Sequence, residues 1–222
     1  GRREDARRQM NRVNEDWKAL ADARLRLQAV SGGVDGALRK VPPSLTNHPG
    51  LLFERMRWRR KKGQEEGVRE ILRDPPAELG RADLWWNERA YMVRRSVSAG
   101  RMSEAYAFAK DHGLNGGAGL TEAEFLAGWI ALRHLRKNAD AQKHFQTLLD
   151  GAPTENSKSR AAYWLARTAE ASGKAAEAKE WYGRAAAFGL TFYGQLAARK
   201  LPGTSTRLPG DPAVSDADQK AM

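Results

Sequence analysis

The chain has 222 residues, no cysteine and a formal net charge of +11. The lack of cysteine excludes disulfide staples, thiol nucleophiles and cysteine-type metal sites. No apolar run approaches the roughly 20 residues that span a bilayer. The 41% hydrophobic content, with abundant Ala, Leu, Arg and Glu, suits a folded helical protein. The positive balance favours acidic partners such as nucleic acid, anionic lipid or an anionic polymer. The plainer reading is that Lys and Arg solvate exposed helix faces, since they are spread along the chain.

Residues 2–30 read as one helix, with Val13, Trp17, Leu20, Ala21 and Leu27 near one side and a charged start that frays. Ser31-Gly32-Gly33 ends it, and a short helical piece follows around Val34–Leu38. Val41-Pro42-Pro43 and Asn47-His48-Pro49-Gly50 are breaker clusters.

From residue 51 a unit of helix, tight turn and helix recurs. The expected turns are Gly63, Gly100, Asn138 and Gly173, spaced 37, 38 and 35 residues apart, close to the tetratricopeptide period of about 34. Arg57, Arg94, Arg133 and Arg167 precede the turns by five or six residues, and Val68, Ala105, Ala141 and Ala178 follow them. Such recurrence predicts an all-α chain of stacked helix pairs, a superhelical solenoid without a sheet. Asp74-Pro75-Pro76, the glycine-rich stretch 113–119 and Gly151-Ala152-Pro153 are the joints between units. Thr121, ahead of Glu122 and Glu124, reads as a helix N-cap.

In the last unit, Ala162, Leu165, Ala166 and Ala169 share a helix face flanked by Trp164, and Ala178, Trp181, Tyr182 and Ala185 share the next. A further helix opens at Thr191. Phe192 and Leu196 are expected to cap the core there, leaving Tyr193 and Gln195 for polar contacts to a neighbouring domain. The predicted organisation is an N-terminal helical segment over 1–50, the repeat region over 51–201, and a Pro/Gly-punctuated linker over 202–222.

Few residues offer chemistry. The four histidines share no metal-ligand spacing, and the glycines at 113, 116, 117 and 119 lack the Gly-Lys-Ser/Thr of a phosphate loop, so no metal and no cofactor are expected. Glu54, Glu88 and Glu124 sit in helical surroundings where a lone glutamate is more often half of an ion pair than a catalyst. Most of the seven tryptophans read as core. Trp85 and Trp86 point about 100° apart on a helix, so one is free to face outward.

Three groups of residues carry a resemblance: Tyr163-Trp164-x-x-Arg167 with Trp181-Tyr182; Phe192-Tyr193-Gly194-Gln195-Leu196-Ala197; and, upstream, Pro49 to Arg55, Trp85 to Arg89 and Glu124 to Leu132. In this order they resemble the helical-repeat region of soluble lytic murein transglycosylases. That family cleaves the bond between N-acetylmuramic acid and N-acetylglucosamine in peptidoglycan, leaving a 1,6-anhydro sugar. Its single catalytic glutamate stands in a Glu-Ser pair followed by Gly-Leu-Met-Gln, and neither motif occurs here. The resemblance thus implies a non-catalytic superhelix that holds glycan, a catalytic domain beyond Met222, a signal sequence removed before Gly1, and a periplasmic location. It also implies peptidoglycan glycan strands and the chain's own C-terminal catalytic domain as partners, with no nucleic acid and no transmembrane segment. Trp86, Arg89, Arg94, Arg167, Tyr193 and Gln195 are the candidate glycan or interdomain contacts. A tetratricopeptide-like protein-binding scaffold is the second reading, and a basic nucleic-acid-binding repeat protein the third.

Overall fold

The structure is a computed structural model describing residues 5, 8–10 and 12–203. Among these the chain is helical throughout, with no strand. It divides into two compact units, Gly1–Asn115 and Gly116–Met222, within the glycine-rich joint.

In the first unit residues 5 and 8–10 are helical, and after a break at 12–14 comes α1 (Glu15–Ala29), so the one helix expected over 2–30 is interrupted. Asn14 sets the start of α1 by accepting from the Trp17 amide at 3.1 Å. Val30, not the following glycines, takes the left-handed position that stops it. α2 (Val34–Arg39) and a 3-10 turn (Pro43–Leu45) lead to α3 (Pro49–Lys61). The second breaker cluster is this helix's beginning: His48 caps it and Pro49 occupies the first turn, where its missing N–H costs nothing. α1 packs on both α2 and α3, so Leu20, Ala23, Leu27, Val34, Ala37, Val41 and Leu51 form one core across residue 50. The unit continues with α4 (Glu65–Arg73), α5 (Ala82–Ser98) and α6 (Met102–Lys110). α3 pairs with α4 and α5 with α6, while α3 touches α5 and α4 touches α6.

The second unit holds α7 (Gly117–Arg133), α8 (Asn138–Asp150), α9 (Glu155–Ala171), α10 (Ala175–Ala186) and α11 (Phe192–Ala198). α7 begins four residues before Thr121, which is buried inside the helix and donates its hydroxyl to the Ala118 carbonyl at 3.0 Å. The expected cap at Thr121 is therefore corrected: Glu122 and Glu124 lie beyond the first turn. Gly128 of α7 lets the Phe145 ring of α8 close over it, for a Cβ there would sit 2.7 Å from that ring.

Four hairpins share one turn. Gly63, Gly100 and Gly173 stand at turns as expected and are left-handed, but the third such residue is Arg136, because Asn138 already belongs to α8. From Gly63 the left-handed positions follow at intervals of 37, 36 and 37 residues. The next residue in each hairpin, Gln64, Arg101, Lys137 or Lys174, has φ between −85° and −95° and ψ between 62° and 72°. In three turns its amide returns to a carbonyl five residues back; in the third, Lys137 reaches six back to Ala131. Val68, Ala105, Ala141 and Ala178 all stand five residues after the left-handed position, and all are buried. Arg57, Arg94 and Arg167 keep their common place six before it. Arg133 does not: buried Ile130 holds that place, and Arg133 is exposed.

α11 seals the last hairpin differently from the expected arrangement. Thr191 caps it through the Gly194 amide at 3.0 Å. Tyr193, Leu196 and Ala197 pack on the core, whereas Phe192 is 67% exposed. Phe192 opens the helix, and the inward face is the one carried by Tyr193 and by Leu196 and Ala197 three and four residues on. Residues 204–222 lie outside the described residues, and with them most of the expected linker.

Candidate functional site

The tryptophan pair on α5 does not make a surface. Trp85 and Trp86 are 1% and 2% exposed, and Trp86 stands edge-on to His112 at 6.1 Å. The expectation that one of them faces outward is corrected: α3 and α6 pack on α5, both rings fall on the covered arc, and the open arc carries Asn87, Tyr91, Arg94 and Arg95. Arg89 is buried too, at 1% exposure, and donates from Nη1 to the Phe108 carbonyl at 3.2 Å. Burial lowers its pKa, opposed by the negative charge of Asp111. Arg94 is exposed on the same helix.

The three glutamates of interest are all engaged. Glu54 accepts from the Gln28 amide at 2.7 Å and lies 3.5 Å from Arg57. Glu88 takes a two-pronged pair from Arg60. Glu124 meets His144 Nδ1 at 2.5 Å. A general acid that must release and regain a proton needs its carboxyl free to reach a substrate, and ion-pair duty opposes this.

In the second unit the structure brings two candidate residues, Tyr193 and Arg167, together at Tyr163 of α9. Tyr193 packs its ring on Tyr163 at 5.4 Å, and Arg167 donates to the Tyr163 hydroxyl at 3.3 Å while pairing with Glu170 at 3.0 Å. Gln195, half-buried, stands two residues further along α11.

These contacts belong to a longer row. Phe125 of α7 lies 6.1 Å from Trp164 of α9, Trp164 lies 5.8 Å from Tyr163, Tyr163 lies 5.4 Å from Tyr193, and Tyr193 lies 5.1 Å from Phe192. All but the Tyr163–Tyr193 pair meet edge-on, the geometry that aromatic quadrupoles favour. Phe145 stacks beneath Trp164 at 5.8 Å and fixes it from the core side. Tyr163 is buried, Phe125, Trp164 and Tyr193 are half-buried, and Phe192 is open. Arg160 lays its guanidinium over Phe125 at 4.5 Å and donates to the Thr121 carbonyl at 3.4 Å. Burial lowers its pKa, with Tyr193 and Glu122 acting against that.

Sequence reasoning found the Tyr163-Trp164 and Phe192-Tyr193 pairs but missed Arg160 and the link to Phe125. Their separation along the chain hid it, since only the packing of α7 on α9 joins them. No group of His, Cys, Asp and Glu suited to a metal ion occurs among the described residues, and no described helix is long and apolar enough to cross a membrane. No protein-family model, curated protein or solved structure matches the chain significantly.

Proposed function

We propose that this chain is the non-catalytic helical-repeat part of a periplasmic, peptidoglycan-cleaving transglycosylase, stacked as a superhelix, and that it holds the glycan strand. The aromatic row from Phe125 to Phe192, with Arg160 over its first ring, is the observation that carries this reading. Its partly exposed rings, Phe125, Trp164, Tyr193 and Phe192, offer the apolar faces on which sugar rings lie, and a guanidinium beside them suits the carboxylates of a peptidoglycan strand. Tyr193 and Gln195 would contact the catalytic domain at the edge of the same row. Arg57 and Arg167 are already committed to carboxylates, so they contribute little to a basic inner surface.

The test is co-sedimentation of the chain with insoluble peptidoglycan at low and high salt. Retention at low salt, lost in Tyr193→Ala and Arg160→Gln variants that still unfold cooperatively, supports the reading. Failure of the wild-type chain to sediment with peptidoglycan at low salt overturns it. The chain alone should release no anhydro-sugar products, since Glu54, Glu88 and Glu124 are all held by partners.

The common hairpin turn favours a second reading, a scaffold for peptides or proteins, because tetratricopeptide-like arrays present such surfaces. Binding of the chain to a partner protein in the absence of any affinity for peptidoglycan would select it.

A further inference from the structure

A cavity of about 280 Å³ opens in the first unit between α4, α5 and α6. Leu72, Pro75, Ala107 and Phe108 give it apolar walls, and Arg89 is part of its lining. The guanidinium of Arg89 has five donors; among the described residues its Nη1 bonds the Phe108 carbonyl, and its Nε is buried without a partner. Among the described residues no carboxylate comes within ion-pair distance of it, and Asp111 acts on it only from further away. The two acids at the cavity are otherwise placed. Glu104 is surrounded: it accepts from Ser96 at 2.7 Å, Arg101 at 3.0 Å, Arg69 at 3.2 Å and Arg73 at 3.3 Å. Asp111 is 73% exposed at its side chain and lies 3.5 Å from Lys110.

A buried guanidinium without a counter-ion is unfavourable unless a charge arrives to complete it. Here the Phe108 carbonyl holds the fork in place, which pre-organises it for a planar, two-oxygen acceptor. The carboxylates of Glu104 and Asp111 in the lining repel a doubly charged anion such as phosphate more than a singly charged carboxylate. We propose that this cavity is a binding site for a carboxylate, belonging to a small organic acid or to the C-terminus of a peptide, with Arg89 as its counter-ion. The cavity is at the small end of ligand pockets, so the occupant's enclosed part is about the size of one amino acid.

The proposal is tested on the full chain by thermal unfolding and by NMR titration. The probes are N-acetylalanine, N-acetyl-dialanine and the amide of each, at constant ionic strength. The acids should raise the melting temperature and the amides should not. A response to N-acetylalanine alone identifies a free small acid, and a stronger response to the dipeptide identifies a peptide end. Arg89→Met should remove the response while raising the melting temperature of the unliganded chain, because it removes a buried charge that only the exposed Asp111 offsets from a distance. Ala107→Trp, which lies on the exposed rim and leaves the core intact, should block the response by closing the mouth. Equal effects of acids and amides, no response at all, or an acid-specific response that survives Ala107→Trp would overturn the proposal.

Discussion

The guanidinium of Arg60 on α3 holds both carboxylate oxygens of Glu88 on α5 and so ties two successive hairpins of the first unit. Arg57 approaches the same carboxylate at 3.7 Å. Glu88 is nearly buried, while Arg60 keeps about a third of its side chain in solvent. Removing one partner of a fully buried pair costs about 3–5 kcal/mol, and the exposed guanidinium reduces this. Glu88→Ala should therefore lower the unfolding free energy by about 2 kcal/mol in urea titration. Arg60→Ala and Glu88→Ala combined should cost less than their sum; strict additivity would show that the pair does not couple the hairpins.

Glu104 plays the corresponding part between α4 and α6, and it sets a pH dependence. Burial acts to raise its pKa, but hydrogen bonds from Ser96, Arg101, Arg69 and Arg73 prevail and hold it at about 2, down from 4.5. A depressed carboxyl pKa contributes stability in full above 4.5, and that contribution disappears as the pH falls toward 2. Glu104→Gln should cost roughly 1.5–3 kcal/mol at pH 7, where charge-assisted hydrogen bonds are lost. The gap between the two proteins should narrow across that acid range. A gap that stays constant from pH 7 to pH 2 would contradict the assignment.

The shared turn makes opposite predictions for two substitutions. Arg136 occupies a left-handed conformation with φ 54°, where a side chain is strained and glycine is not. Arg136→Gly should raise stability by about 0.5–1 kcal/mol, despite the added freedom of the unfolded chain. Gly100, with φ 73°, is the reverse case, and Gly100→Ala should cost about 1–2 kcal/mol. Melting temperatures moving in the same direction for both would show that the turns are not equivalent.

α11 depends on one glycine. A Cβ at Gly194 would overlap the Phe188 carbonyl, which is backbone and cannot swing aside. Gly194→Ala should cost about 2–3 kcal/mol and raise amide exchange through residues 192–198, the docked turn of helix. Gly183, exposed on α10 with open space around it, is the control: Gly183→Ala should gain about 0.5–1 kcal/mol. Fast exchange of α11 in the wild-type chain would show that the helix is not sealed.

The sequence by itself determined the all-helical class, the hairpin pairing and the positions of three of the four hairpin turns. Apolar residues three and four apart identify a buried face, and a glycine between two such faces marks a reversal, so both are local signals. It also placed Ala162, Leu165, Ala166, Ala169 and Ala178 in the core, where they lie. Its errors came where local rules allow several outcomes. An arginine took the third turn because one extra residue widened it, and Thr121 disappeared into a helix that began earlier at glycine. Only tertiary structure decided the rest. Whether Phe192 or Tyr193 faces inward depends on which rings α9 presents to α11. The burial of Trp86 and Arg89 depends on the helices that cover α5. Phe125 joins the aromatic row because α7 packs on α9, a contact between residues about 40 positions apart that no local pattern encodes.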